Sequence, residues 1–493
     1  MKVLLIYPKY PETYWSFSHA LRFISKKAAV PPLGLVTVSA LLPDYWERKL
    51  IDMNVEPLKD SDLEWADYIF ISAMYVQKAS VHDVLKQTEK LNKPIVAGGP
   101  LFTQEYSNYP QINHFILNES EITMPQFLDD LISNKPLKKV YNTEDFANIQ
   151  ESPIPHFHLL KKKDYAFMNI QVSRGCPFAC DFCEITSLLG HKVRLKTVNQ
   201  VLNELDALYD INWRGHVFIV DDNFIGNKKF VRDELLPAMY KWAKEHKFPF
   251  TFNTQTSIDL ADDKEILDLM VKTGFDSTFI GIETPDENAL TACNKVQNNN
   301  RDMVESVHAI QKAGLQVSGG FIVGFDSDSS SIFNSQIEFI KKSGIVSAMV
   351  GLLNAPKNTK LYERMEAENR LTEDATGDNT DMTMNFVPKM DKELLQEGYN
   401  NILQSIYEIK PYYQRIRQFL KHYNKTSGNF GYLDKNKILA FFKTIFIMGI
   451  KEKGRGEYWK LLFWSLFHKP SAFVHVMTLV VYGYHFRNIF NVR

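Results

Sequence analysis

The stretch Asn169-Ile170-Gln171-Val172-Ser173-Arg174-Gly175-Cys176-Pro177-Phe178-Ala179-Cys180-Asp181-Phe182-Cys183 runs from a strand-like segment, Asn169–Ser173, straight into three closely spaced cysteines. The chain has 493 residues and only four cysteines, so three of the four stand together here. A secreted disulfide scaffold would spread them out, whereas this clustering reads as a metal site in a reducing compartment. In a C-x3-C-x2-C loop, three thiolates ligate three irons of a four-iron cube and leave the fourth iron open to an outside ligand. Zinc is the rival, with His191 as a fourth ligand, but a second C-x2-C knuckle is missing. Cys293 lies far downstream after a helical stretch and reads as an incidental buried cysteine.

Working outward, a β/α series follows the cysteines. Its strands are read at Asn169–Ser173, Val217–Asp221, Phe250–Thr254, Thr278–Ile282, Val317–Val323 and Ala348–Leu353, with helical stretches such as Val198–Tyr209 and Lys264–Lys272 between them. Such units suit a partial or complete β/α barrel, with chemistry at the carboxyl ends of the strands. Upstream, short apolar strands at Lys2–Tyr7, Lys49–Asp52, Tyr68–Ala73 and Pro94–Ala97 alternate with helices at Pro32–Leu42 and Val81–Leu91. That pattern implies a doubly wound, Rossmann-like parallel sheet. Gly98 and Gly99 stand at a strand end, where they serve either a tight turn or close approach to a ligand.

The resulting fold class is α/β, with four regions: a doubly wound domain over 1–140, a linker over 141–165, a barrel over 166–390 and a basic helical extension over 391–493. Hydrophobic residues make up 45% and charged residues 23% of the chain, which excludes a disordered protein, and a net charge of −1 gives no footprint for nucleic acid. The N-terminal run Met-Lys-Val-Leu-Leu-Ile-Tyr-Pro is too short for a signal peptide and reads as a first strand, which implies a cytoplasmic protein.

Cys176, Cys180 and Cys183, just after the first strand of a β/α barrel, resemble the signature of the radical S-adenosylmethionine (SAM) superfamily. The resemblance implies a [4Fe–4S] cluster whose open iron is chelated by the amino and carboxylate groups of SAM. It also implies a reductant such as flavodoxin or ferredoxin, and a 5′-deoxyadenosyl radical that takes a substrate hydrogen. Phe182 matches the aromatic that this family places near the adenine. Asp221, Asp222 and Asn223, ending the second strand, are candidates for the SAM ammonium. Gln255, with Ser257 beside it, stands where similar enzymes carry an acidic residue against the ribose. Glu283, ending the fourth strand, is expected to face ligand at the barrel mouth, and Gly319 and Gly320 to allow close approach by SAM.

A doubly wound sheet before such a barrel resembles the cobalamin-binding class of the superfamily. Gly98 and Gly99 would thread the nucleotide tail of cobalamin. The D-x-H-x-x-G motif of other cobalamin proteins is absent, since the chain has no histidine between His19 and His82. Met74 and its neighbours to Gln77 would then face the lower side of the cobalt. The segments Asn294–Asn298 and Gly320–Asp326, with the basic extension, resemble the branch that contains the hopanoid C-2 methylases. The resemblance implies a cobalamin-dependent C-methyltransferase acting on an unactivated carbon of a lipid, such as a polycyclic one. The alternative is a radical SAM enzyme catalysing cyclisation, rearrangement or oxidation without methyl transfer.

From Pro411 onward fourteen basic residues face three acids, Asp434, Glu452 and Glu457. Aromatic and aliphatic residues interleave with them, as in Tyr458-Trp459-Lys460-Leu461-Leu462-Phe463-Trp464. Such helices suit either peripheral contact with an anionic membrane or a bundle packed on the barrel with a solvated basic face.

Overall fold

A computed structural model describes residues 1–372, 376–378, 380–424 and 435–492, without the side chains of 435–437; Asp434 lies outside the described residues. Two parallel six-stranded sheets organise it. The first comprises β1 (Lys2–Tyr7), β2 (Glu47–Asp52), β3 (Tyr68–Ser72), β4 (Ile95–Gly98), β5 (His114–Ile116) and β6 (Val140–Tyr141), in the order β2-β1-β3-β4-β5-β6. Val3 to Ile6 of β1 are wholly buried, as expected where helices cover both faces of a parallel sheet. The strand order reverses between β1 and β3, and that switch point opens a crevice at their carboxyl ends.

The second sheet comprises β7 (Phe167–Ile170), β10 (Gly215–Ile219), β11 (Phe250–Thr256), β12 (Phe275–Glu283), β13 (Gln316–Val323) and β14 (Ala348–Leu352), curled into a parallel half-barrel. Along β11, Phe252, Thr254 and Thr256 are buried while Asn253 and Gln255 are half-buried, so the strand puts Gln255 on the opposite side from its packed face. The outer helices are bounded by local signals. Lys264–Thr273, for example, starts at Asp263, whose side chain accepts from the Ile266 N–H, and stops at Gly274 with φ of 110°.

Three regions depart from the sequence reading. The strand expected to continue to Ser173 ends at Ile170; Ser173–Arg174 (β8) instead pairs antiparallel with Arg194–Leu195 (β9). The chain leaves the ladder there because Asp221 captures the Val172 amide. The polar stretch after 140 is packed rather than loose, with Ile149, Phe157 and Tyr165 buried and Val140–Tyr141 completing the first sheet. The segment between β1 and the helix Leu33–Leu41 crosses to the C-terminal helices, where Tyr14 stacks on Phe486 at 4.3 Å.

Candidate active site

Arg174 and Gly175 set up the cysteine loop. Arg174 donates to Glu119 (2.9 Å) and Glu121 (2.7 and 3.0 Å), both at the start of the helix Ser120–Ile132 that packs on the first sheet. Arg194, on the paired strand β9, donates to Glu119 as well, at 2.6 and 2.8 Å. Gly175 has φ of 91°, and a Cβ there would lie 2.7 Å from the Lys192 carbonyl oxygen and 2.9 Å from that of Gly190. This is a position only glycine fits. The Cys176 amide then donates to the Gly190 carbonyl at 3.2 Å.

The loop's far side is held by the segment after β12. The Asp181 N–H donates to the Cys293 carbonyl (3.0 Å), Asn294 Nδ2 to the Ala179 carbonyl (2.8 Å), and Gln297 Nε2 to Cys180 Sγ (3.7 Å). Burial pushes the Cys176 thiol up and the Cys183 thiol to about 12, while the amides of Phe178 and Ile185 and the Lys295 ammonium pull them back. Amides and a cation aimed at sulfur suit thiolates on a metal cluster, whose metal takes the place of the protons. Among the described residues no three His, Cys, Asp or Glu side chains converge tightly enough for a single ion. His191 is exposed. Cys293 Sγ donates to the Leu290 carbonyl at 3.5 Å within a buried apolar cluster, as an incidental cysteine would.

The acidic triplet after β10 divides its work. Asp221 is fully buried and accepts from the Val172 amide (2.7 Å) and the Ser173 hydroxyl (2.5 Å). It clamps the strand that leads into the cysteines. Asn223 likewise bridges to Ser257, whose amide donates to its Oδ1 and whose Oγ accepts from its Nδ2, both at 3.2 Å. Asp221 therefore ties the end of β10 to the segment after β7, and Asn223 ties it to the end of β11. Asp222 is different: burial, then Asp221, push its carboxyl to about 7, and its charge is felt at Cys176.

Glu283 sits at the end of β12 with φ of 63°, next to a register shift between Gly281 and Glu283. Asn298 Nδ2 holds this kink by donating to the carbonyls of Gly281 (3.0 Å) and Ile282 (2.9 Å). The Glu283 carboxylate accepts from Lys295 Nζ at 2.6 Å. Burial works against the charge on Lys295, but Glu283 and Cys180 outweigh it and hold the ammonium above the ordinary lysine value. Phe182 lies 6.0 Å from that ammonium and 6.2 Å from the Phe325 ring. In the sequence Lys295 stands out only as part of Asn294–Asn298; its place twelve residues after the strand-end Glu283 is the signal for the pair.

The glycines have reasons internal to the fold. A Cβ on Gly319 would lie 2.9 Å from the Phe321 ring, and one on Gly320 2.9 Å from the Phe279 ring. Trp15 meets the other side of Phe279, with centroids 5.3 Å apart, and Trp15 remains 45% exposed. Sequence reasoning missed Trp15, since nothing local ties it to a barrel strand. In the first sheet, a Cβ on Gly98 would lie 2.7 Å from the Ile116 carbonyl, and Gly99, with φ of 94°, would meet Ser72 Oγ at 2.9 Å. Gly98 thus lets β4 pack closely on β5, and Gly99 makes the turn into the next helix.

The crevice at the switch point presents Tyr10 and Met74. The Tyr10 hydroxyl donates to Met74 Sδ at 3.4 Å, and Met74 is 46% exposed. The edge thus offers a phenol and a thioether side by side. The loops at the carboxyl ends of the two sheets touch: Gln104 donates to Glu184 just after Cys183 (3.0 Å), and Lys357 after β14 pairs with Glu105 (3.3 Å).

Comparison with known proteins agrees with this arrangement. The Radical SAM superfamily matches residues 170–340, and a domain of unknown function (DUF4070) matches 359–492. An uncharacterized methyltransferase of Synechocystis sp. is 39% identical over 494 residues, covering 99% of this chain and 91% of the relative. The hopanoid C-2 methylase of Rhodopseudomonas palustris is 33% identical over 390 residues, covering 78% of this chain and 73% of that enzyme. Among solved structures, the cobalamin-dependent SAM radical enzyme OxsB, with aqua-cobalamin and SAM bound, superposes with a TM-score of 0.65 at 16% identity, covering 99% of this chain and 79% of that one.

Proposed function

Because the chain belongs to the radical SAM superfamily, in its methyltransferase branch, we propose that it is a cobalamin-dependent C-methyltransferase acting on an unactivated carbon of a polycyclic or other lipid. The observation that carries this reading is the contact between two ligand-type edges, a neutral crevice on one sheet and a charged cysteine-bearing edge on the other. Residues 1–140 are assigned to cobalamin binding, 141–165 to the link, 166–390 to the barrel and 391–493 to the extension. The cluster and SAM together supply a 5′-deoxyadenosyl radical, and cobalamin supplies the methyl group.

This chain's own residues then have distinct tasks. Cys176, Cys180 and Cys183 hold the cluster. Asp222, ionised, takes the SAM ammonium, and Lys295, held by Glu283, takes the SAM carboxylate. Gln255 reaches the ribose from the inner side of β11, and Phe182 packs on the adenine. Asp221, Asn223 and Ser257 keep the strand ends aligned. Met74 and Tyr10 would hold the corrin ring. Trp15 and Phe279 offer an aromatic wall to an apolar substrate inside the half-barrel. Flavodoxin or ferredoxin fits as the electron donor, in a cytoplasmic setting, and a basic aromatic extension fits a substrate that resides in a bilayer.

The test is turnover of anaerobically reconstituted enzyme with SAM, cobalamin, reductant and polycyclic lipid. We expect S-adenosylhomocysteine and 5′-deoxyadenosine together, with a product fourteen mass units (about 14, one CH2) heavier than the substrate. Formation of 5′-deoxyadenosine alone in the presence of the modified lipid would remove methyl transfer.

A further inference from the structure

The helix Lys435–Thr444 runs on through Ile445–Lys451, and Arg455–His468 folds back against it. The pair is apolar on two sides. Inside, Met448, Tyr458, Leu461 and Leu462 are buried against the bundle. Outside, Phe442 is 60%, Phe446 52%, Ile450 54%, Phe463 51% and Phe467 79% exposed. The spacing of four residues puts each set on one stripe of its helix. Trp459 joins the two helices: its Nε1 donates to the Gly449 carbonyl at 2.9 Å, and its ring stacks on Phe463 at 5.7 Å. Soluble monomers rarely leave this many large apolar side chains of one helix pair to water.

The charges around it share one sign. Lys443, Lys451, Lys453, Arg455, Lys460 and Lys469 stand between 443 and 469, against Glu452 and Glu457. Both acids are already engaged, Glu452 by Arg487 at 3.1 Å and Glu457 by Lys460 at 2.7 Å. A second copy would bring the same cations and no free acid, whereas an anionic lipid surface supplies the complement. Among the described residues no helix is long and apolar enough to cross a membrane, so the fitting geometry is a helix pair lying in the headgroup layer.

We propose that this helical hairpin seats the protein on an anionic bilayer, with the phenylalanines entering the acyl boundary and the lysines at the headgroups. The hairpin also abuts the segment that reaches the half-barrel: Lys443 Nζ donates to the Arg22 carbonyl (2.9 Å) and to Ser25 Oγ (3.2 Å). Trp15, on the same segment, faces Phe279. Resting on the lipid reading above, this places substrate entry on the membrane-facing side.

The experiment is flotation of the full chain with vesicles of phosphatidylcholine alone or phosphatidylcholine mixed with phosphatidylglycerol, at low and high salt. It needs no turnover, so it fails or succeeds separately from methyl transfer. Binding is expected only to the mixed vesicles, weakening with salt. The double variant Phe446→Ser, Phe467→Ser should lose at least about tenfold in binding, while its melting temperature and secondary structure stay those of the parent. A charge variant, Lys451→Glu with Lys453→Glu, should lose the preference for phosphatidylglycerol. Parent protein that stays unbound at low salt, or a phenylalanine variant that floats like the parent, would overturn the proposal. So would a dimer by light scattering that the phenylalanine variant abolishes, since that would give the surface to a second copy.

Discussion

The two parallel sheets end in edges of opposite character. The first sheet closes on Tyr10, Met74, Gly98 and Gly99, a phenol, a thioether and two glycines. The half-barrel closes on Asp222, the Glu283–Lys295 pair and three cysteines within electrostatic reach of Lys295. A neutral ledge holds a large ring by shape and dispersion, and losing one side chain removes a small part of the contact. A charged edge holds a zwitterion through a few buried, charge-assisted bonds, and losing one removes a large part.

That contrast predicts graded damage. The largest effect belongs to Lys295→Gln, which removes the cation and leaves Glu283 buried without it; SAM affinity by calorimetry should fall by about 10- to 100-fold. Glu283→Gln should cost less, because Lys295 keeps its charge. A smaller effect of Lys295→Gln than of Glu283→Gln would reverse the assigned roles.

Next comes Asp222. Its carboxyl is raised by burial to about 7, so it ionises only as pH rises through that value. SAM binding should therefore tighten between pH 6 and pH 8 by up to roughly tenfold, and Asp222→Asn should flatten the profile. Stability of the free protein has the opposite sign. A raised carboxylate favours folding when protonated, so melting temperature should fall as pH rises toward 7, less so in the variant.

The smallest effect is expected of Met74→Ala. Cobalamin retention, read from the visible spectrum after gel filtration, should drop by no more than about fivefold, the loss of part of one apolar contact. Complete loss would mean that the sheet edges are alike after all, each resting on single residues.

Legibility in the sequence followed distance along the chain. The cysteine loop could be read because its three thiols are contiguous and its chemistry needs that spacing. The strands were legible where both faces are buried, as in Val3 to Ile6. At strand ends the reading blurred. In Asp221-Asp222-Asn223 the residue types were right for a ligand site, but sequence does not say which carboxylate points inward, and the fully buried Asp221 turned out to be a clamp. Gly319 and Gly320 looked alike on paper, yet adjacent residues of a strand face opposite ways, and each makes room for a different phenylalanine. Lys295 and Trp15 escaped because a left-handed kink at Glu283 and a crossing segment bring them in from afar.

The paired carboxylates of Glu119 and Glu121 also bear on how the molecule is made. They precede Arg174 and Arg194 in the chain by more than fifty residues (|i−j| of 53 to 75). Synthesis from the N-terminus lets the first sheet fold before the cysteines leave the ribosome. The loop thus closes against a surface already in place, with its anions waiting. The cysteines thus settle into a nest whose walls were built in order, the first sheet before and the half-barrel upon it.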